Sequence, residues 1–145
     1  MYVFTALPRI THLAYRPFDV ALSEPFGIAG GAQHVCRNLL VEVGLEGGSL
    51  GIGEAAPFPA FNGETREDAE QALDGARDAL LGAEAAHWRA VARLANQALG
   101  SAPSALCAFE TALLDALTRS MGLSLFAFFG EIGRASCRER VYHPV

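Results

Sequence analysis

The chain has 145 residues, 51% of them apolar, with a formal net charge of −5 and a mean hydropathy of +0.23. That length suits one domain around one core, the apolar share excludes a disordered chain, and a negative charge without a basic run excludes nucleic acid or an anionic membrane as partner. All 11 basic residues are Arg, so lysine Schiff-base chemistry, a lysine general base and a P-loop lysine are excluded too.

In chain order, Met1 to Pro8 lacks a charged segment followed by an apolar run, so no signal peptide is expected. No apolar stretch is long enough to span a bilayer, and the odd cysteines Cys36, Cys107 and Cys137 form no C-x-x-C pair. Reduced thiols and a cytoplasmic location are the expectation. Phe18, Val20 and Leu22 alternate with Asp19, Ala21 and Ser23, as in a half-buried strand. Glu24-Pro-Phe-Gly-Ile-Ala-Gly-Gly31 reads as a loop from its proline and glycines. Leu39, Val41, Val43 and Leu45 give a second strand, Gly47-Gly48 a two-residue hairpin turn, and Leu50 to Glu54 a third strand. A second loop, Ala56 to Gly63, is too rich in Pro and Gly for regular structure.

Helices follow. Thr65-Arg-Glu-Asp68 reads as a capping box ahead of Ala69, Ala72, Leu73, Ala76 and Leu80 on one face, with Gly82 as the stop. Trp88, Val91, Ala95 and Leu99 mark a second helix ending at Gly100. Pro103 suits the first turn of a third, whose stripe is Leu106, Phe109, Leu113, Ala116 and Leu117. Gly122 closes it, and a short helical turn covers Leu125 to Phe129. A three-stranded antiparallel meander followed by a helical bundle, without βαβ alternation, is an α+β fold. Residues 1–130 are expected to form this domain. Glu131 to Val145 has no periodicity and resembles a cloning-vector read-through, with a native basic tail as the alternative.

The segments Glu24 to Gly30, Asn38 to Val43, Gly51-Ile-Gly-Glu-Ala-Ala-Pro57, Pro103 to Asp115 and Gly122 to Gly130 together resemble the N-terminal capping domain of the enolase superfamily, in its muconate-lactonising branch. Pro57-Phe-Pro-Ala-Phe-Asn-Gly-Glu-Thr65 is most similar to the dipeptide epimerases, such as those acting on Ala-Glu. The resemblance implies a lid over a (β/α) barrel, with two lid loops tuning specificity. It also implies that the chemistry, proton abstraction next to a carboxylate by lysines with Mg²⁺ as Lewis acid, resides in the barrel. A barrel needs roughly 200 residues or more. After Gly130 only 15 remain, so no catalytic barrel and no catalytic residue is expected in this chain. The expected parent is a dipeptide epimerase or a muconate cycloisomerase-like isomerase that needs Mg²⁺. The chain alone is expected to be inactive, to lack a cofactor of its own, and to have the missing barrel as its natural partner.

Candidate site residues follow from the two loops. Phe26, Ile28, Phe58 and Phe61 either line a lid that excludes water from a small apolar or dipeptide side chain, or fill the domain's own core. Glu24 either contacts a polar substrate group or is simply solvated. Glu54 and Glu64 could form an acid/base pair. The favoured reading makes Glu54 a strand-end residue bound to nearby backbone or Arg, and Glu64 a helix-entry residue. Glu110 and Asp115 do not share a helix face, and Asp115 is placed to pair with Arg119 four residues on. His12, His34, His87 and His143 have no ligand spacing, and His34 with Cys36 does not look like a base and nucleophile. A stand-alone, non-catalytic interaction module is the alternative function. On either reading the apolar third helix and Leu125, Phe126, Phe128 and Phe129 are expected to lack cover and to drive self-association.

Overall fold

The computed structural model describes residues 7–130. The readings of the leader and of the tail, including Cys137 and His143, fall outside the described residues. Three strands, β1 (Ile10–Ile28), β2 (Gly31–Leu45) and β3 (Leu50–Ala55), form one antiparallel sheet in the order β1-β2-β3, the expected meander. Leu39, Val41, Val43 and Leu45 are buried as their alternation requires.

The first two strands are longer than the sequence suggested. Glu24–Ile28 is strand, and the pair Ile28↔Gly31 closes over a turn of two residues, Ala29 and Gly30. The register shifts between Ala21 and Phe26, which accommodates Pro25 on an edge strand where its missing N–H costs no ladder bond. Because β3 pairs only with Leu39 to Gly44, the distal part of the hairpin is a two-stranded ribbon. Phe18 and Leu22 are therefore only half-buried and Val20 is exposed, against the expectation of a buried face. The β2–β3 connection also differs. It runs from Glu46 to Ser49, with Leu45 N–H donating to Ser49 O at 2.9 Å and Gly48 N–H to Leu45 O at 3.0 Å. Gly47 and Gly48 both adopt positive φ, +90° and +87°, which side chains resist.

Among the described residues five helices follow: α1 (Pro59–Asn62), α2 (Arg66–Leu80), α3 (Trp88–Leu99), α4 (Pro103–Ser120) and α5 (Leu125–Phe128), with a 3₁₀ turn at Ala85–His87. The capping box on α2 forms as read: the Thr65 side chain accepts from Asp68 N–H, and the Asp68 carboxylate accepts from Thr65 N–H. The segment expected to be irregular contains α1, which Pro59 starts and Gly63, at φ +81°, ends. Ala69, Leu73, Ala76 and Leu80 of α2 and Val91, Ala95 and Leu99 of α3 join the core.

The apolar stripe of α4 is wider than the sequence reading. Ala105, Ala108 and Ala112 are buried beside Phe109, Leu113, Ala116 and Leu117, while Leu106 is only half-buried. The cause is close approach to β3. A Cβ on Gly51 would lie 2.1 Å from Ala112 O, and one on Gly53 would lie 2.0 Å from Ala108 O. Glycine on the strand and alanine on the helix let two backbones meet. The expectation that α4 lacks cover is thus corrected: its stripe is buried by the sheet and by α2 and α3. Among the described residues after it, the exposed large apolar side chains are Met121, Leu123, Phe126 and Phe129, whereas Leu125 and Phe128 are half-buried and Phe128 packs edge-on to Trp88 at 6.1 Å. Among the described residues no helix is long and apolar enough to cross a membrane.

Candidate functional site

The two Gly/Pro-rich segments meet. A Cβ on Gly30, in the hairpin turn, would lie 2.3 Å from Ala60 O, so only glycine lets the turn rest on α1. That contact brings Phe26 and Phe58 together, ring centroids 5.6 Å apart and tilted by 51°. Phe58 is half-buried, Phe26 and Ile28 are exposed, and Phe61 at the end of α1 is 78% exposed. These four do not fill the core. Glu24 is exposed too, on the bulged stretch of β1 between Ala21 and Phe26.

Beside the aromatic pair lies an open groove of about 660 Å³, lined among others by Gln33, Val35, Arg37, Phe58, Ala60 and Arg66. Arg66 is neutralised by Asp19, 2.7 Å from its Nη1, and its Nε lies 3.8 Å from Glu70. Sequence reasoning missed Gln33, Val35 and Arg37. Their period-two spacing was the available signal, but it needed the ribbon to be recognised first.

The carboxylates have structural partners. Glu54 accepts a hydrogen bond from Asn38 Nδ2 at 2.5 Å, in place of the expected backbone or Arg. Glu64 is 6% exposed and accepts from Ser104 N–H at 3.1 Å and Ser104 Oγ–H at 2.6 Å. It serves the N-terminus of α4, where the sequence reading gave it to α2. The two acids have separate partners, so nothing links them as an acid/base pair. Asp115 accepts from Arg119 Nε at 2.9 Å, as read, and from Ile52 N–H at 3.1 Å on the edge of β3. The Asp115 hydrogen bond, then its charge, raises the Arg119 pKa further. Glu110 is half-buried.

His12 and His34 are exposed on strands, and His87 Nδ1 lies 3.3 Å from Glu84. Cys36 Sγ accepts from Gln33 Nε2 at 3.5 Å, and Cys36 and Cys107 are free thiols. Among the described residues no three His, Cys, Asp or Glu side chains are grouped to hold a metal ion. The described surface at the aromatic pair offers apolar contact, with the polar side chains of Gln33, Arg37 and Glu67 along the groove.

Comparisons with known proteins match this architecture. The profile described as "Mandelate racemase / muconate lactonizing enzyme, N-terminal domain" matches residues 11–130. An aromatic dipeptide epimerase from Herpetosiphon aurantiacus is 43% identical over 125 residues, covering 86% of this chain and 35% of the relative. A crystal structure described as a mandelate racemase/muconate lactonizing enzyme from Sorangium cellulosum superposes with a TM-score of 0.74 at 52% identity, covering 83% of this chain and 34% of that one. A dipeptide epimerase from Methylococcus capsulatus, solved with Mg and the dipeptide L-Arg-D-Lys, gives a TM-score of 0.77 at 31% identity over 86% of this chain and 36% of that one. The chain therefore spans about a third of the length of the curated relatives it matches.

Proposed function

Because the chain belongs to the mandelate racemase/muconate lactonizing enzyme family as its N-terminal domain, we propose that it is the substrate lid of a dipeptide epimerase. The observation that carries the reading is the aromatic pair Phe26–Phe58. Two segments far apart in sequence are held together at 5.6 Å with their apolar surface turned away from the core. In a stand-alone domain such surface is a cost; over a pocket supplied by further chain it excludes water.

Three features extend the reading. On this reading the base and the Mg²⁺ site belong to the part of the enzyme beyond this domain, in keeping with the dipeptide epimerase relatives solved with Mg. When bound there, the metal supplies Lewis-acid stabilisation of charge next to the substrate carboxylate. The lid's own part is to bind and orient the side chain and to keep water out. Phe26, Ile28, Phe58 and Phe61 favour an aromatic or bulky apolar side chain over an acidic one, in keeping with the aromatic dipeptide epimerase relative. Glu24, exposed two residues before Phe26, contacts a polar group of the substrate. Finally, Met121, Leu123, Phe126 and Phe129 form the face that meets the rest of the enzyme; without it, this face drives self-association of the isolated chain.

The test is exchange of the substrate α-proton with solvent deuterium, using L-Ala-L-Phe and Mg²⁺. The chain alone is expected to give the enzyme-free rate. A chimera in which this domain replaces the matching segment of the Herpetosiphon epimerase is expected to exchange well above it. Exchange by the chain alone, or an inert but folded chimera, contradicts the proposal.

A further inference from the structure

The helix α4 begins without a local cap. Its N-cap residue is Ala102, whose side chain cannot accept a hydrogen bond, and Pro103 occupies the first helical position. Glu64, 40 positions earlier, fills the gap by accepting from both the N–H and the hydroxyl of Ser104. It is 6% exposed and has no salt-bridge partner among the described residues, so these hydrogen bonds and the positive end of an 18-residue helix balance its buried charge. Glu64 also ties down its own side of the chain. Its N–H donates to Asn62 Oδ1 at 3.0 Å, and Asn62 Nδ2 lies 3.5 Å from Glu64 Oε2. Asn62 ends α1, and α1 carries Ala60, on which the hairpin turn rests through Gly30.

These contacts form a chain with a rigid end and a light end. At the rigid end, α4 is pressed backbone to backbone on β3 through Gly51 and Gly53. At the light end, α1 and the hairpin tip bury no side chain in the core. We propose that Glu64 is a positioning residue: it latches α1 to the N-terminus of α4 and thereby sets where Phe58, Phe61 and, through Gly30, the hairpin tip stand. Its functional meaning rests on the lid reading, but the latch itself is a property of the folded chain.

Hydrogen exchange on the 145-residue chain, without substrate, tests the latch. Glu64→Gln keeps the size and one acceptor but removes the charge. It is expected to speed exchange by about tenfold in residues 58–63 and in the hairpin tip, residues 29–32, while the amides of Val41, Val43 and α3 stay unchanged. Ser104→Ala is expected to act at the same amides to a smaller degree, and Glu64→Gln with Ser104→Ala to be less than additive. Faster exchange confined to the first turn of α4 would make Glu64 a plain helix cap and overturn the latch. So would uniform acceleration throughout the core, or no change at all. The lid reading fails separately, if the chimera's KM is insensitive to Phe26 and Phe61.

Discussion

At the residue scale, small differences in side chains decide where backbones can go. Gly53 faces Ala108 O so closely that a methyl group has no room. Gly53→Ala is expected to destabilise the chain by roughly 1–3 kcal/mol or more, read as a lower denaturant midpoint at unchanged slope. A midpoint within error of the parent would show that α4 can lift off β3 at no cost. Asp68 gives a second residue-scale expectation. The Thr65 hydroxyl, then the Thr65 N–H, hold its carboxylate below the ordinary value of 3.8. The unfolded chain binds that proton more tightly, so the stabilisation is full above the unfolded value and fades as pH falls through the folded one. Asp68→Asn is expected to flatten the acid limb of a melting-temperature profile below about pH 4, where both proteins converge. An identical acid limb in the variant would remove Asp68 from the account. Side-chain identity announced the capping box and the Asp115–Arg119 pair in advance, because both depend on spacings of three and four along one helix. The partner of Glu64 was hidden for the opposite reason: 40 positions separate it from Ser104.

At the element scale, the helices were the most legible part. Apolar period and the stops Gly82, Gly100 and Gly122 placed α2, α3 and α4 closely, since local rules govern each end. The hairpin was read too short. Pro25, Gly27, Gly30 and Gly31 carry turn chemistry, yet the structure spends only two residues on the turn and carries Pro25 in a bulged edge strand. Of the alanine face of α4 only Ala116 was read; Ala105, Ala108 and Ala112 were missed, because alanine weighs little in a hydrophobic pattern and its role appears only once Gly51 and Gly53 are opposite. The cap on α2 is the simplest element-scale test. Thr65→Ala is expected to cost about 1 kcal/mol in urea unfolding and to raise exchange in the first turn of α2 alone. A loss spread over α3 and α4 would mean that the cap supports more than its own helix.

At the scale of the whole molecule, two surfaces have no use within this domain. One is the aromatic pair with Phe61, the other the apolar end at Met121, Leu123, Phe126 and Phe129. Light scattering of the chain is expected to show a mass that rises with concentration, and Phe126→Ser with Phe129→Ser to suppress the rise. A monomer at every concentration contradicts the open-end reading. The sequence made the meander, the bundle and the two Gly/Pro-rich segments legible, and the family resemblance stood on their order. It could not show that the two segments touch, because that contact depends on the twist and length of a ribbon whose loop was drawn too large.

The most direct test of the lid is the KM of the chimera for L-Ala-L-Phe when Phe61, 78% exposed, is changed to Ala, with Phe26→Ala as its companion. Phe61 supports little of this domain's fold, so its loss reports on substrate contact rather than on folding. A rise in KM of about tenfold, with kcat moved much less, is the result the lid predicts, since burying one such side chain against a ligand is worth at least that factor. A KM unchanged in both variants would place the substrate out of reach of this domain and contradict the lid.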